Sequence, residues 1–148
     1  MRTNLTKWLL VMLLTAVVFA IWTWLRPYEW SPDAKARFEI VGAEVTRDHE
    51  YHWLSVHLKR AGAAEHDLLK PVRLLTGDGS EVEPADTRLK GGPEHGITDL
   101  WFKFWLEPGK LNGTLRLRIN DGVLVVKANP DQPALGLSGQ KYFNSNHW

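Results

Sequence analysis

From Trp8 to Leu25 the chain reads WLLVMLLTAVVFAIWTWL, 18 residues without a charge. As a helix at about 1.5 Å per residue this run reaches about 27 Å, enough to cross a hydrocarbon core. Arg2 and Lys7 precede it, and Arg26, Glu29 and Asp33 follow it. The positive-inside rule then keeps the N-terminus cytoplasmic and sends the remainder across. The expected location is the inner (plasma) membrane, single-pass, with the C-terminal domain periplasmic or extracellular. A cleaved signal peptide is the rival reading, because Val18-Phe19-Ala20 offers residues a peptidase accepts after an apolar run. Against cleavage, Ile21, Trp22, Trp24 and Leu25 prolong the run beyond that point. Trp8, Trp22, Trp24, Tyr28 and Trp30 also fall where aromatic belts hold a helix at its two interfaces.

The charge balance narrows the partners. Arg2 and Lys7 are two of the 18 basic side chains, so the part beyond the anchor keeps 16 against all 17 acidic ones. No basic face follows from that ratio, and no nucleic-acid partner is expected. The absence of cysteine excludes a disulfide scaffold, a thiolate metal site, a cysteine nucleophile and a lipidated anchor. With 44% hydrophobic residues the rest of the chain can build one core.

Beyond the anchor, residues 26–36 hold two prolines and alternating charges, the pattern of a stiff stalk. The fold is expected over residues 37–129. Phe38, Ile40 and Val45 straddle Gly42, which predicts a strand with a bulge at the glycine. Leu54, Val56 and Leu58 alternate with Trp53, Ser55 and His57, a half-buried strand by its period of two. Residues 68–76 run into the turn Gly77-Asp78-Gly79-Ser80, and Glu81 to Pro84 reads as an edge strand because proline cannot donate to a central ladder. Gly91, Gly92, Pro93 and Gly96 predict a loop. After it, Leu100, Phe102, Phe104 and Leu106 share one face of a strand, with Trp101 and Trp105 on the other. Leu115, Leu117 and Ile119 alternate with Arg116 and Arg118, Asn120-Asp121-Gly122 turns, and Val123 to Val126 returns as a hairpin. The expected fold is therefore all-β, an immunoglobulin-like antiparallel sandwich, with a barrel as the alternative, preceded by one transmembrane helix, with residues 1–7 cytoplasmic, 8–25 in the membrane and 130–148 packing on the sandwich or on a partner.

The order of Phe38-x-Ile40…Val45, the turn from Leu74 to Gly79, Phe102-x-Phe104-x-Leu106-Glu107-Pro108 and Leu115-x-Leu117 resembles small bacterial immunoglobulin-like domains carried behind a membrane anchor or signal. These include secreted-antigen-like sandwiches and families of unknown function. Members often bear a lipidated cysteine, which a helix replaces here. The resemblance covers roughly residues 38–128 and brings no catalytic motif.

Candidate chemistry is sparse. His49, Glu50, His52 and His57 lie close in sequence, but the odd separation of His52 from His57 sends them to opposite faces of a strand. Asp78, Ser80, Glu81, Glu83 and Asp86 lack the pattern of a calcium loop. Ser138 has no glycine elbow around it. No enzyme, metal or cofactor is expected, and Asn112-Gly113-Thr114, although a sequon, reads as a turn. Trp101 and Trp105 need cover on a face opposite an already apolar one. Either the tail, through Tyr142, Phe143 or Trp148, or the stalk supplies it, or these five aromatics form a surface that grips a partner protein, a glycan or the membrane surface. The expected function is non-catalytic binding or scaffolding, in its sharper form as an accessory subunit beside another membrane or envelope protein. The first alternative is a free-standing envelope glycan-binding module, which predicts an exposed aromatic platform beside polar side chains; the remaining one, a metal carrier or enzyme, requires His49, His52 or His57 to converge with carboxylates.

The mature protein should keep residues 8–25 and remain with membranes after alkaline carbonate washing. An N-terminal sequence beginning at Ile21 would show instead that the segment is removed.

Overall fold

The computed structural model describes residues 2–25, 30 and 32–148, so Tyr28 lies outside the described residues. Helix α1 covers Arg2–Leu25. Its stretch Asn4–Trp24 is strongly apolar and none of it is buried against the rest of the chain. The helix is long and apolar enough to span a membrane. Thr15 and Thr23 do not spoil this, since their hydroxyls donate to Val11 O and Phe19 O within the helix.

Among the described residues nine strands follow: β1 Phe38–Asp48, β2 Tyr51–Arg60, β3 Arg73–Leu75, β4 Glu81–Val82, β5 Asp86–Gly92, β6 Gly96–Leu106, β7 Leu115–Ile119, β8 Gly122–Lys127 and β9 Gln140–Phe143. They form two antiparallel sheets, ordered β5-β6-β2-β1-β9 and β4-β3-β7-β8. The period of two sends Leu54, Val56 and Leu58 of β2 and Leu100, Phe102, Phe104 and Leu106 of β6 to the face shared with Leu74, Leu115, Leu117, Ile119, Leu124 and Val126 of the other sheet. One core results. On β1 the inward positions change from even to odd, Phe38 and Ile40 then Ala43 and Val45, because the register slips between Ile40 and Gly42. That bulge keeps both halves of the strand facing the core. A Cβ on Gly42 would meet the Tyr142 hydroxyl at 1.8 Å, so a larger residue there would make the exposed Tyr142 ring swing aside.

The folded part begins earlier than the stalk reading implies. Trp30 is 9% exposed and, with Ala36, belongs to the core, so it is not an interfacial anchor. Asn120 ties this entry segment down. Its Nδ2 donates to Ala36 O at 2.6 Å, and its Oδ1 accepts from Asp67 N at 2.8 Å and from His66 Nδ1 at 3.0 Å. At the other terminus β9 extends the first sheet beyond β1. Phe143 points inward and stacks on Trp148 at 4.1 Å, while Trp148 Nε1 donates to Val126 O at 3.0 Å. The tail therefore closes the gap between β1 and β8. Lys127, fully buried beside it, donates to Gly113 O at 2.7 Å and Asn129 O at 2.6 Å, and burial lowers its pKa.

One local expectation is corrected. Gly91 and Gly92 end strand β5 and Gly96 opens β6, so only the short turn between them is a loop. Within residues 68–76 the strand is β3, Arg73–Leu75, beyond Pro71.

His52 is 5% exposed on the inner side of β2, with neither ring nitrogen partnered. Burial first, and the Arg47 charge second, hold its pKa below the ordinary 6.5. A depressed histidine stays neutral in the folded state while the unfolded chain takes up a proton, so its stabilising contribution is complete above pH 6.5 and declines as pH falls towards the folded value. His52→Leu should flatten part of the fall in melting temperature between pH 7 and 5. At neutral pH it should raise stability by about 1 kcal/mol, by removing two unpaired buried nitrogens. Thermal melts across that range check both.

Candidate functional site: an aromatic depression on the outer sheet face

Because the inward positions of β2 and β6 are sealed by the second sheet, their outward positions carry everything the five-stranded face can present. Register sets the rows. Trp53 stands opposite Trp105, Ser55 opposite Lys103, His57 opposite Trp101 and Lys59 opposite Asp99. β1 adds Thr46 beside Trp53 and Glu44 beside Ser55, and β5 adds Asp86 beside Lys103 and Arg88 beside Trp101.

Two aromatic groups form on this lattice. Trp53 meets Trp105 edge-on at 4.4 Å, and Tyr51 stacks on Trp105 at 4.8 Å. Trp101 stacks on His57 at 4.4 Å with only 9° between the planes. His57 is held by its Nε2–H, which donates to Asp99 Oδ1 at 3.0 Å, while Thr98 Oγ1 donates to Asp99 Oδ2 at 2.9 Å. These bonds, that from His57 foremost, hold the Asp99 carboxyl below its usual pKa. The pair is a brace for the Trp101 ring.

Between the groups lies an open depression of about 460 Å³. Trp53 and Trp101 bound it, and its remaining lining is Ser55, Lys103, Glu44, Thr46, Asp86, Arg88 and Leu89. Lys103 Nζ sits 4.6 Å from the centre of the Trp53 ring. The arrangement offers flat apolar surfaces at two ends and hydrogen-bonding groups of both charges between them.

The five aromatics grouped together from sequence separate into three places. Trp101 borders the depression, and Trp105 supports Trp53 from behind. Tyr142 lies exposed on the outer face of β9, beside Glu44. Phe143 and Trp148 are on the core side. The tail does not cover Trp101 and Trp105, because β2 and β1 stand between β6 and β9; their neighbours on the same sheet do so instead. Trp8, Trp22 and Trp24 are exposed on α1. His49, His52 and His57 end in different surroundings, and among the described residues no three potential ligands converge. The Asp78 carboxylate is occupied by Thr76, Ser80 and Lys110, which lower its pKa.

Comparison of the chain with protein-family models, curated proteins and solved structures finds no match. Trp53, Ser55 and Lys103 escaped the sequence reading as site residues. The usable signal was that Trp53, Ser55 and His57 alternate with a buried row, which places them on one face with Trp101 once β2 pairs with β6.

Proposed function

We propose that the protein is a membrane-tethered, non-catalytic binding module of the cell envelope, an immunoglobulin-like sandwich whose five-stranded face takes an envelope glycan. The strand order supports the fold reading. β5-β6-β2-β1 and β3-β7-β8 follow the D-E-B-A and C-F-G order of an immunoglobulin domain, with β4 beside β3 and β9 outside β1 as additions.

The observation that carries the functional reading is the depression between Trp53 and Trp101. A sugar ring has an apolar C–H face and a rim of hydroxyls. Indole planes match the face, and hydroxyl, carboxylate and ammonium groups match the rim. A volume of about 460 Å³ suits a small ligand. Trp53 and Trp101 are separated by the four-residue step from Trp53 to His57 along β2, about 13 Å at about 3.3 Å per residue, which favours a short oligosaccharide over a single ring. Glu44 and Asp86 balance Arg88 and Lys103, so the site selects against strongly charged polymers.

A second reading, the accessory subunit, is favoured by one feature. β5 is exposed at every residue and among the described residues its outer edge is unpaired, a place where a strand of another envelope protein can add.

Calorimetric titration of the full chain in mild detergent with peptidoglycan-derived and related amino-sugar oligosaccharides should show saturable binding. Trp53→Ala and Trp101→Ala should each weaken it about tenfold, roughly 1.4 kcal/mol, while Tyr142→Ala leaves it unchanged. Absence of binding to every oligosaccharide, together with a protein that co-elutes with the wild type, would replace this reading with the second.

A further inference from the structure

We infer that the β domain rests on the bilayer surface through Leu68 and Leu69, at the tip of the loop between β2 and β3. The inference goes beyond glycan binding and rests on α1 spanning the membrane.

The tether sets the geometry. Leu25 ends α1 and Trp30 is already in the core, so the five-residue step between them reaches at most about 18 Å. The chain is then pinned to one end of the β domain. The Asp33 carboxylate accepts from Val123 N at 2.9 Å, Asp121 N donates to Lys35 O at 3.3 Å, and Asn120 holds Ala36 O. This is the end that carries the β7–β8 turn, and the membrane lies close to it.

The β2–β3 loop is fastened to the same end. Ala61 N donates to Arg37 O at 3.1 Å, Asp67 N to Asn120 Oδ1 at 2.8 Å, and Lys70 pairs with Asp121. Within the tip Leu69 N donates to Asp67 Oδ1 at 3.0 Å and Lys70 N to Asp67 O at 3.2 Å. A braced turn thus holds two neighbouring leucines outward, 67% and 95% exposed. Exposure alone does not decide this. Leu137 is also fully exposed, but it lies beside Arg47 and Gly139, at the opposite end where β1 turns into β2. Leu68 and Leu69 are distinguished by lying at the end of the domain where the entry segment Asp33–Ala36 is fastened, so that the acyl boundary can supply the cover they lack.

The chain has no cysteine, so single thiols can be placed at will. Leu69→Cys and Leu137→Cys would each be labelled with bimane in the full chain and reconstituted into phosphatidylcholine vesicles carrying bromine high on the acyl chains. The label at position 69 should lose about half its emission and shift to the blue, whereas that at position 137 loses less than about a tenth. Adding Leu68→Asp should remove most of the quenching at 69, which excludes insertion driven by the dye. Quenching of the α1 tryptophans without quenching at 69, or equal quenching at 69 and 137, overturns the contact while leaving the anchor reading in place. If the α1 tryptophans are also unquenched, both fail.

Discussion

The strict alternation of side chains along β2 and β6 is the constraint from which the rest follows. These strands are the middle of the five-stranded sheet, and their inward rows, from Leu54 to Leu58 and from Leu100 to Leu106, are sealed against the second sheet. A slip of one residue would bury Trp53, Ser55 and His57 and expose Leu54, Val56 and Leu58, so the register is specified by the cost of exposing that core. Fixing the inward row fixes the outward one. Trp53, Trp101 and Trp105 are then committed to a face that no second layer covers among the described residues. They reduce their exposure by stacking on Tyr51, His57 and each other, which leaves a gap floored by Ser55 and Lys103.

The ends of the chain do structural work around that centre. Trp30 and Ala36 on one side, and Phe143 and Trp148 on the other, complete the core, so the unit that folds extends from Trp30 to Trp148. Asn120 accepts a left-handed backbone, φ 53, at the tip of the β7–β8 hairpin, and in return its side chain serves the entry segment and the β2–β3 loop together. Three segments distant in sequence thereby meet at one end of the domain, the end that carries the entry segment Asp33–Ala36.

Sequence made the strands with a clear period of two legible: β2, β6 and the β7–β8 hairpin, together with the bulge at Gly42 and the edge position of Glu81–Val82. β5 was invisible because DTRLKGG has a single large apolar residue, Leu89, and an overhanging edge strand needs no apolar row. Trp30 was misread for a different reason. An aromatic residue just beyond an apolar helix looks the same in sequence whether it lies at a membrane interface or in a core. The tail's position could not be read either, since the four residues of β9 pair with β1 across the whole length of the domain. Trp101 was recognised as needing cover, but the identity of its surroundings depends on the pairing of His57 with Trp101 and of Trp53 with Trp105, a non-local fact that no local pattern encodes.

The most direct test of the outer face as a ligand site is to follow the indole N–H signals of the protein by NMR, in the full chain in micelles, while an envelope oligosaccharide is added. The account predicts saturable shifts of the Trp53 and Trp101 signals, a smaller response of Trp105 behind them, and none at the core residues Trp30 and Trp148. Unmoved Trp53 and Trp101 signals at saturating ligand, or shifts confined to other tryptophans, would contradict it.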